Sequence, residues 1–317
     1  MKTWVAALAV CLGLQGAAVP AAAQPGVLHD KAAIVAFDKA LTRQYGDVVV
    51  GPAKATLHLG TRYYFVPADD AKAVIVKLWG NPPDAGEGVL GIVFEKDRTS
   101  YDNDWGAVVT YDRTGHVSDK DAASEDYDAL VAEIRANEQA ENPKRQKAGY
   151  PTEYFVGWAQ APTYDPARHA LIWARNIRFS DSKTNVLNYD VRLLGRDGVL
   201  SLNMISGMPQ LVEVRGAAQA LAGAAQFARG AAYADYDPSV DKTAAYGLAG
   251  LVAAGAGVAV AKKLGLLAIL LAFGKKFLIL FLAAGAAITR YAKGFAGRLR
   301  GRAQGGSDAE DEPDTKE

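Results

Sequence analysis

The stretch ALIWARNIRFSDSKTNVLNYDVRLLGRDGVLSLNMI, residues 170–205, contains three runs in which apolar and polar residues alternate. The runs cover residues 170–179, 186–194 and 199–205, and turn signals at Ser180–Lys183 and Asp197-Gly198 separate them. An Asp-Gly pair between two alternating runs is a strong signal for a β-hairpin. The stretch therefore predicts three consecutive antiparallel strands.

Further strands and helices are predicted on both sides of this stretch. The other predicted strands cover residues 55–59, 63–66, 89–95, 105–111 and 153–158. Helical spacing of apolar residues is found at 30–44, from Asp69 or Asp70 to Gly80, from about Ser118 to Pro143, and at 211–225. Runs of strands with flanking helices, without strict alternation, are typical of an α+β fold with antiparallel sheets.

One face of this sheet is predicted to be apolar and the other polar. Along residues 187–193, Leu, Tyr, Val and Leu alternate with Asn188, Asp190 and Arg192. A polar sheet face is either a solvated outer surface or a recognition surface, and the pattern leaves both open. Trp and Tyr beside Arg are common binding anchors. The binding candidates are Trp158, Tyr164, Asp165, Trp173, Asn188, Arg192, Arg196 and Asn203.

The first residues, MKTWVAALAVCLGLQGAAVPAAAQ, have the composition of a cleavable export signal. Lys2 is followed by an apolar stretch and then by small residues at 21–23, which places the predicted signal peptide at residues 1–23. Cleavage would remove Cys11, the only cysteine of the chain. The mature protein is then expected to have neither a disulfide nor a cysteine nucleophile.

Residues 243–290 are predicted to be a membrane anchor region. They are almost entirely Ala, Gly, Leu, Val, Ile and Phe, interrupted by Lys262-Lys263 and Lys275-Lys276. A membrane-spanning helix needs about 20 apolar residues, and the basic residues at 290–302 favour one net crossing by the positive-inside rule. We expect a transmembrane helix within 264–289. In the alternative, residues 244–261 cross and the remainder lies on the inner leaflet.

These boundaries predict an extracytoplasmic α+β domain at residues 24–242, on the periplasmic side of the cell membrane, and a cytoplasmic tail at 291–317. The tail is basic and then acidic, a composition typical of disorder. The expected partners are the lipid bilayer and an envelope protein or ligand. Balanced charge, with 35 basic and 35 acidic residues, argues against nucleic acid. Small residues at every fourth position permit self-association, although the Ala and Gly content alone accounts for them equally well: Ala249, Ala253, Gly257 and Ala261.

The sequence contains no motif that assigns a catalytic residue, a metal site or a cofactor. The four histidines are scattered, and there is neither an HExxH helix nor a GxSxG turn. A non-catalytic binding or envelope-interaction module is therefore favoured. One alternative is a hydrolase assembled from His169, Asp165 and Ser201, which requires these groups to converge in a pocket. Another is a membrane accessory protein that forms oligomers through its anchor.

Three longer blocks carry a family resemblance: GWAQAPTYDPARHALIWAR at 157–175, LNYDVRLLGRDGVLSLN at 187–203, and YADYDPSVDKTAAYGLAGLVA at 233–253. They are similar to the signature blocks of a bacterial family of membrane-anchored proteins whose domain is known as domain of unknown function 2167. The resemblance implies an exported domain and a C-terminal anchor, with no established activity to transfer. The lysine pairs within the apolar region depart from the family pattern.

Overall fold

The computed structural model describes residues 27–255, apart from residues 103, 121 and 123–126. Within these residues the chain forms five α-helices and ten β-strands. In chain order they are α1 (Lys31–Ala40), β1 (Asp47–Val50), β2 (Ala55–His58), β3 (Tyr63–Pro67), α2 (Ala68–Ala73), β4 (Val89–Glu95), β5 (Trp105–Asp112), α3 (Tyr127–Lys147), β6 (Glu153–Asp165), β7 (Ala170–Phe179), β8 (Val186–Leu194), β9 (Val199–Gly207), α4 (Leu211–Ala224), β10 (Ala225–Phe227) and α5 (Leu248–Gly255).

Seven strands form a large antiparallel sheet in the order β3-β4-β5-β9-β8-β7-β6, and three form a small antiparallel sheet in the order β1-β2-β10. With helices packed around them, this arrangement confirms the predicted α+β class. The predicted hairpin at Asp197-Gly198 is also present, because Leu194 of β8 pairs with Val199 of β9.

Strand β6 is longer than its predicted range of residues 153–158. It continues through Pro162 to Asp165, and its register against β7 shifts between Gln160 and Thr163. Strand β6 is an edge strand, so a proline there removes no hydrogen bond between neighbouring strands. The sequence prediction contained neither β1 nor β10, which are only four and three residues long.

Helix α3 also continues beyond its predicted end at Pro143, to Lys147. Side chains from its last turns hold the following segment. The amide of Asn142 donates to the Glu153 carbonyl and accepts from the Glu153 N–H, while Arg145 donates to the Pro151 carbonyl. These bonds offset the loss of the Pro143 backbone donor.

The apolar face of the large sheet packs against α4 and the small sheet. Its core includes Leu187, Tyr189 and Val191 of β8, which follow the predicted alternation. Phe65 of β3 belongs to the same core. A side chain at Gly91 of β4 would overlap its ring, so glycine is required there.

The opposite face is covered in two parts. Helix α2 and the turn after it cover the part formed by β3, β4 and β5, where Tyr64, Ile92 and Phe94 are buried. Helix α3 lies against β6, and α5 lies over β7 and β8. Leu248, Leu251 and Val252 of α5 are buried in a cluster that also contains residues of β7, β8 and β9.

No helix in the described range 27–255 has both the length and the apolar character needed to cross a membrane. The predicted signal peptide, the predicted crossing at 264–289 and the tail at 291–317 lie outside the described residues and stay predictions. Of the small residues proposed for self-association, Ala249 is partly exposed and Ala253 is buried against the domain. Gly257 and Ala261 lie outside the described residues.

Candidate functional site

Six polar side chains form a continuous strip on the helix-covered face of β7, β8 and β9. We refer to Arg175, Asn188, Asp190, Arg192, Ser201 and Asn203 as the polar strip. Strand register brings them together, because Arg175 lies opposite Asn188, Asp190 opposite Asn203, and Arg192 opposite Ser201.

Hydrogen bonds connect most of the polar strip. Arg175 Nη2 donates to Asn188 Oδ1 at 3.0 Å, and the amides of Asn188 and Asn203 donate to each other at 3.2 and 3.0 Å. Arg192 donates to Asp190 Oδ1 at 2.9 Å and to Ser201 Oγ at 2.7 Å. These bonds form two groups, one of Arg175, Asn188 and Asn203 across three strands and one of Asp190, Arg192 and Ser201 across two.

The polar strip is buried. Asp190 is 0% exposed, Ser201 1% and Asn188 2%. The sequence left a choice between a solvated face and a recognition surface. In the structure this face is not a solvated outer surface, because α3 and α5 cover most of it, and a role in recognition stays a prediction. Near β5 the cover is incomplete, since the Arg192 side chain retains 11% of its exposure.

Several polar atoms on this face have no hydrogen-bond partner among the described residues. They are Trp158 Nε1, Trp173 Nε1, Arg175 Nε, Asp190 Oδ2 and Arg192 Nε. The guanidinium of Arg192 also lies over the Trp173 ring, 5.4 Å from its centroid. Buried polar atoms without partners are costly, and three of these five atoms belong to charged side chains.

A carboxyl group from α3 extends the polar region toward the sheet edge. Glu138 accepts a hydrogen bond from the Phe155 N–H of β6 at 2.8 Å. Burial raises the pKa of Glu138 to about 7, although the Phe155 N–H and the charge of Arg175 oppose this shift. Together with Asn142, Glu138 satisfies backbone groups on the outer edge of β6, which limits pairing with another strand.

A second cluster lies at the end of the sheet where β5 ends and β7 begins. Four rings stack in the order Tyr236, His116, Tyr233 and His169, which we refer to as the ring column. The centroids of His116 and Tyr236 are 3.7 Å apart and their planes differ by 11°. Burial lowers the pKa of His116, while nearby Asp119 and Asp241 act in the opposite direction.

Asp119 ties the ring column to the β6–β7 turn. Tyr164 donates to Asp119 Oδ2 at 2.7 Å and its hydroxyl lies 3.1 Å from His169 Nδ1. Burial opposes the shift, but hydrogen bonds from Tyr164 and Tyr233 hold the pKa of Asp119 below its usual value. Burial and the bond to Asp119 raise the pKa of Tyr164. The phenol therefore stays protonated and acts as a donor.

The segment that leads to α5 is fastened to the same end of the sheet. Arg196 makes two bonds to Asp241, from Nε at 2.7 Å and from Nη2 at 3.1 Å. His116 N donates to Lys242 O, and Ala244 N donates to His116 O, both at 2.8 Å. We refer to the ring column, the Arg196–Asp241 pair and these backbone bonds as the C-terminal clamp.

The family model described as "Protein of unknown function (DUF2167)" matches residues 42–286. The chain belongs to this family. No functionally curated protein matches it.

Among solved structures, the chain is similar to the solution structure of cyanobacterial PsbP (CyanoP) from Synechocystis sp. PCC 6803. The identity is 9% and the TM-score is 0.34, over 59% of this chain and 92% of the other. Those values do not establish a shared fold.

The predicted binding residues of this family member fall into three places. Trp173, Asn188, Arg192 and Asn203, with the partly exposed Trp158, lie on the helix-covered face. Arg196 belongs to the C-terminal clamp, and Tyr164 lies beside it, with its hydroxyl next to Asp119 and His169. Asp165 organises the β6–β7 turn, where it accepts from the Ala167 N–H at 3.0 Å and from Arg168 Nη1 at 2.7 Å. Whether any of them binds a partner stays a prediction.

The residues of the alternative hydrolase site take part in separate contacts. His169 lies beside Tyr164 and Asp119, Asp165 bonds to its own turn, and Ser201 accepts from Arg192 beneath the helices. No hydrogen bond between described residues connects these three groups. The described residues also contain no group of three or more His, Cys, Asp or Glu arranged to hold a metal ion.

Sequence reasoning placed Arg175 and Asp190 on the polar face without choosing them as candidates. Their alternation with apolar neighbours was the available signal. His116, Asp119, Glu138 and Asp241 were not predicted as parts of a site. They come from three separate segments and become neighbours of site residues only through the fold.

Proposed function

We propose that this protein is an extracytoplasmic module, fixed to the cell membrane by its C-terminal apolar region, that binds another envelope component without catalysis. The single observation that carries the proposal is the C-terminal clamp. The segment leading toward the predicted crossing is held by Arg196, by the stacked rings and by pairing with His116, and α5 then packs on the sheet. This ordered pairing supports an attachment point for the anchor at this end of the sheet.

The contacts of the candidate catalytic residues favour a binding role over catalysis. A catalytic site needs a base within hydrogen-bond reach of a nucleophile. The candidate base His169 lies beside a tyrosine whose raised pKa keeps it protonated, and the candidate serine is held by an arginine. These groups stabilise the fold at the positions where they are found.

Three of the predicted binding residues remain accessible, and they share one end of the sheet. Tyr164 is partly exposed, and the side chains of Asp165 and Arg196 retain 28% and 31% of their exposure. We assign the partner to this end because each of these residues is held by hydrogen bonds, Tyr164 to Asp119, Asp165 to Arg168 and Arg196 to Asp241. Rigid, prearranged contact residues lose little entropy when they bind.

Membrane attachment is tested by fractionation of cells that express the full chain. The protein is expected to stay in the membrane pellet after an alkaline carbonate wash and to dissolve only in detergent. Protease added to the periplasmic side should digest the domain and spare the tail. Release of the intact mature chain without detergent would refute the anchor.

Binding is tested by affinity purification of the full chain from native membranes in mild detergent. Asp165→Ala is expected to lower the recovered partner by about tenfold, which is typical for loss of an important interface residue. Asp181→Ala is the matched control, because Asp181 is exposed in the β7–β8 turn at the opposite end of the sheet. Equal recovery with both variants would exclude the clamp end as the binding surface.

A further inference from the structure

The C-terminal end of helix α5 and the surface beneath it are chemically mismatched, whereas Leu248, Leu251 and Val252 pack on apolar residues of the sheet. The helix reads LAGLVAAG and has no polar side chain, yet its last residue, Gly255, lies against the polar face. A side-chain carbon at Gly255 would lie 2.7 Å from Trp173 and 3.3 Å from Arg192 Nη2. The helix therefore contacts the Arg192–Trp173 pair closely and provides neither of them with a hydrogen bond.

Two of the three buried polar side chains near this end of α5 are charged. Asp190 Oδ2, Arg192 Nε and Trp173 Nε1 are buried without a partner among the described residues. An apolar helix cannot satisfy these atoms, whereas water or a polar partner can. Removal of α5 from this face would therefore relieve the electrostatic penalty. The free energy gained in this way would offset part of the free energy lost with the apolar contacts of the helix.

The helix has a second environment available. The sequence continues from Gly255 with Ala, Gly and Val up to Lys262, and the apolar region extends to Ile288. The buried side chains Leu248, Leu251 and Val252 are equally suited to a hydrocarbon environment. Small residues such as Gly250 and Ala253 allow close contact with either surface.

We propose that α5 exchanges between the polar strip and the lipid bilayer, and that its departure exposes the strip to the periplasm. The inference rests on the proposed membrane attachment. It assigns a second membrane contact to the chain and a covered binding surface to the domain. The predicted strip residues would become accessible only in the uncovered state.

The predicted mature chain contains no cysteine, which allows a direct test by thiol labelling. Ser201→Cys places a thiol on the strip at a position that is 1% exposed. The full mature chain is reconstituted into vesicles of phosphatidylethanolamine and phosphatidylglycerol and treated with a membrane-impermeant maleimide. The labelling rate then reports how often the strip is uncovered.

A substitution on α5 shifts the exchange. In the Ser201→Cys background, Gly255→Val is expected to raise the labelling rate about tenfold or more, because the valine would overlap Trp173. Gly216→Val is the matched control: it places the same residue in helix α4, where no atom lies within 4 Å of the added carbon. Gly216→Val should leave the rate unchanged.

A second thiol distinguishes displacement of α5 from general unfolding. Ala107→Cys lies on the apolar face at 0% exposure and should stay unlabelled in both glycine variants. If Gly255→Val also exposes this thiol, the variant is unfolded. The proposal is then tested with the Ser201→Cys chain that carries no other substitution. Its labelling should be at least about threefold faster in vesicles than in an amphipathic polymer without a bilayer.

Equal labelling in vesicles and polymer, together with no effect of Gly255→Val, would overturn the proposal. Its failure can be separated from failure of the proposed function. If the chain does not float with the vesicles, membrane attachment is refuted. If Gly255→Val then still raises the labelling rate of a correctly folded chain, α5 can be displaced from the sheet even without a membrane. If the chain floats with the vesicles and the labelling rate does not change, only the exchange is refuted.

Discussion

The two faces of the large sheet use the same strands and are stabilised in different ways. On strand β8, Tyr189 and Val191 point into an apolar core beneath α4 and the small sheet, while Asp190 between them points into the polar strip. Both faces are buried. The apolar face gains stability from the removal of hydrocarbon from water, whereas the polar face requires ion pairs and hydrogen bonds to offset desolvation.

The difference shows that burial alone does not define a core. On the apolar face, the small sheet and α4 contribute matching apolar side chains. On the polar face, α3 contributes Glu138, but α5 contributes no polar group. The second face is therefore the one where the covering element matches its surface poorly.

The largest expected effect comes from Asp190→Ala, which leaves Arg192 without its buried partner. We expect a loss of about 3–5 kcal/mol in the free energy of unfolding, measured by urea denaturation of the full chain in mild detergent. The double variant Asp190→Leu, Arg192→Met should regain most of this loss, because it removes both charges. A loss below about 1 kcal/mol for Asp190→Ala would show that the ion pair is hydrated and that the two faces differ less than the structure indicates.

An intermediate effect is expected from Glu138, and it depends on pH. Its pKa is raised from 4.5 to about 7 in the fold, so the folded state holds a proton that the unfolded chain releases. Stability from this group is complete below about pH 4.5 and declines by about 2–3 kcal/mol as the pH rises through 7. Urea denaturation at pH 5 and pH 8 measures the decline.

Two variants sharpen the Glu138 prediction. Glu138→Gln should remove most of this pH dependence, since the amide keeps an acceptor for the Phe155 N–H without a titratable proton. Glu141→Gln, on the same helix but more exposed and paired with Lys144, should leave it in place. An unchanged pH profile for Glu138→Gln would assign the decline to another group.

The smallest effect is expected on the apolar face. Tyr189→Phe removes the hydrogen bond from its hydroxyl to Gln160 Oε1. Because Arg215 also donates to that oxygen at 3.1 Å, Gln160 keeps a partner, and we expect a loss of only about 1 kcal/mol. Thermal unfolding checks the value. A loss as large as that of Asp190→Ala would remove the contrast between the two faces.

Local sequence patterns predicted most of the fold. Strands β7 and β8 begin and end where alternation and turn residues place them, and α4 follows its apolar stripe from Leu211. The division of β8 into two faces was also predictable, because side chains alternate along any strand. Strand β1 and the continuation of β6 past Pro162 could not be predicted, because both form only through pairing with neighbouring strands.

The candidate site was only partly predictable. Residues such as Arg192 and Trp173 were identified from strand parity and aromatic content, but their burial was not. Sequence alternation does not distinguish a polar face that meets water from one covered by a distant helix. Likewise, the stacking of His116 on Tyr236 joins residues that are far apart in the chain.

The sequence by itself determined the α+β class, most of the strands, the alternation of the two faces and the family, because these depend on short-range periodicity and on turn chemistry. Only the tertiary structure decided that α5 covers the polar strip, that Glu138 reaches the edge of β6, and that Arg196 holds Asp241. Each of these contacts joins segments distant in sequence. Their free energies depend on burial and distance, which no local pattern specifies.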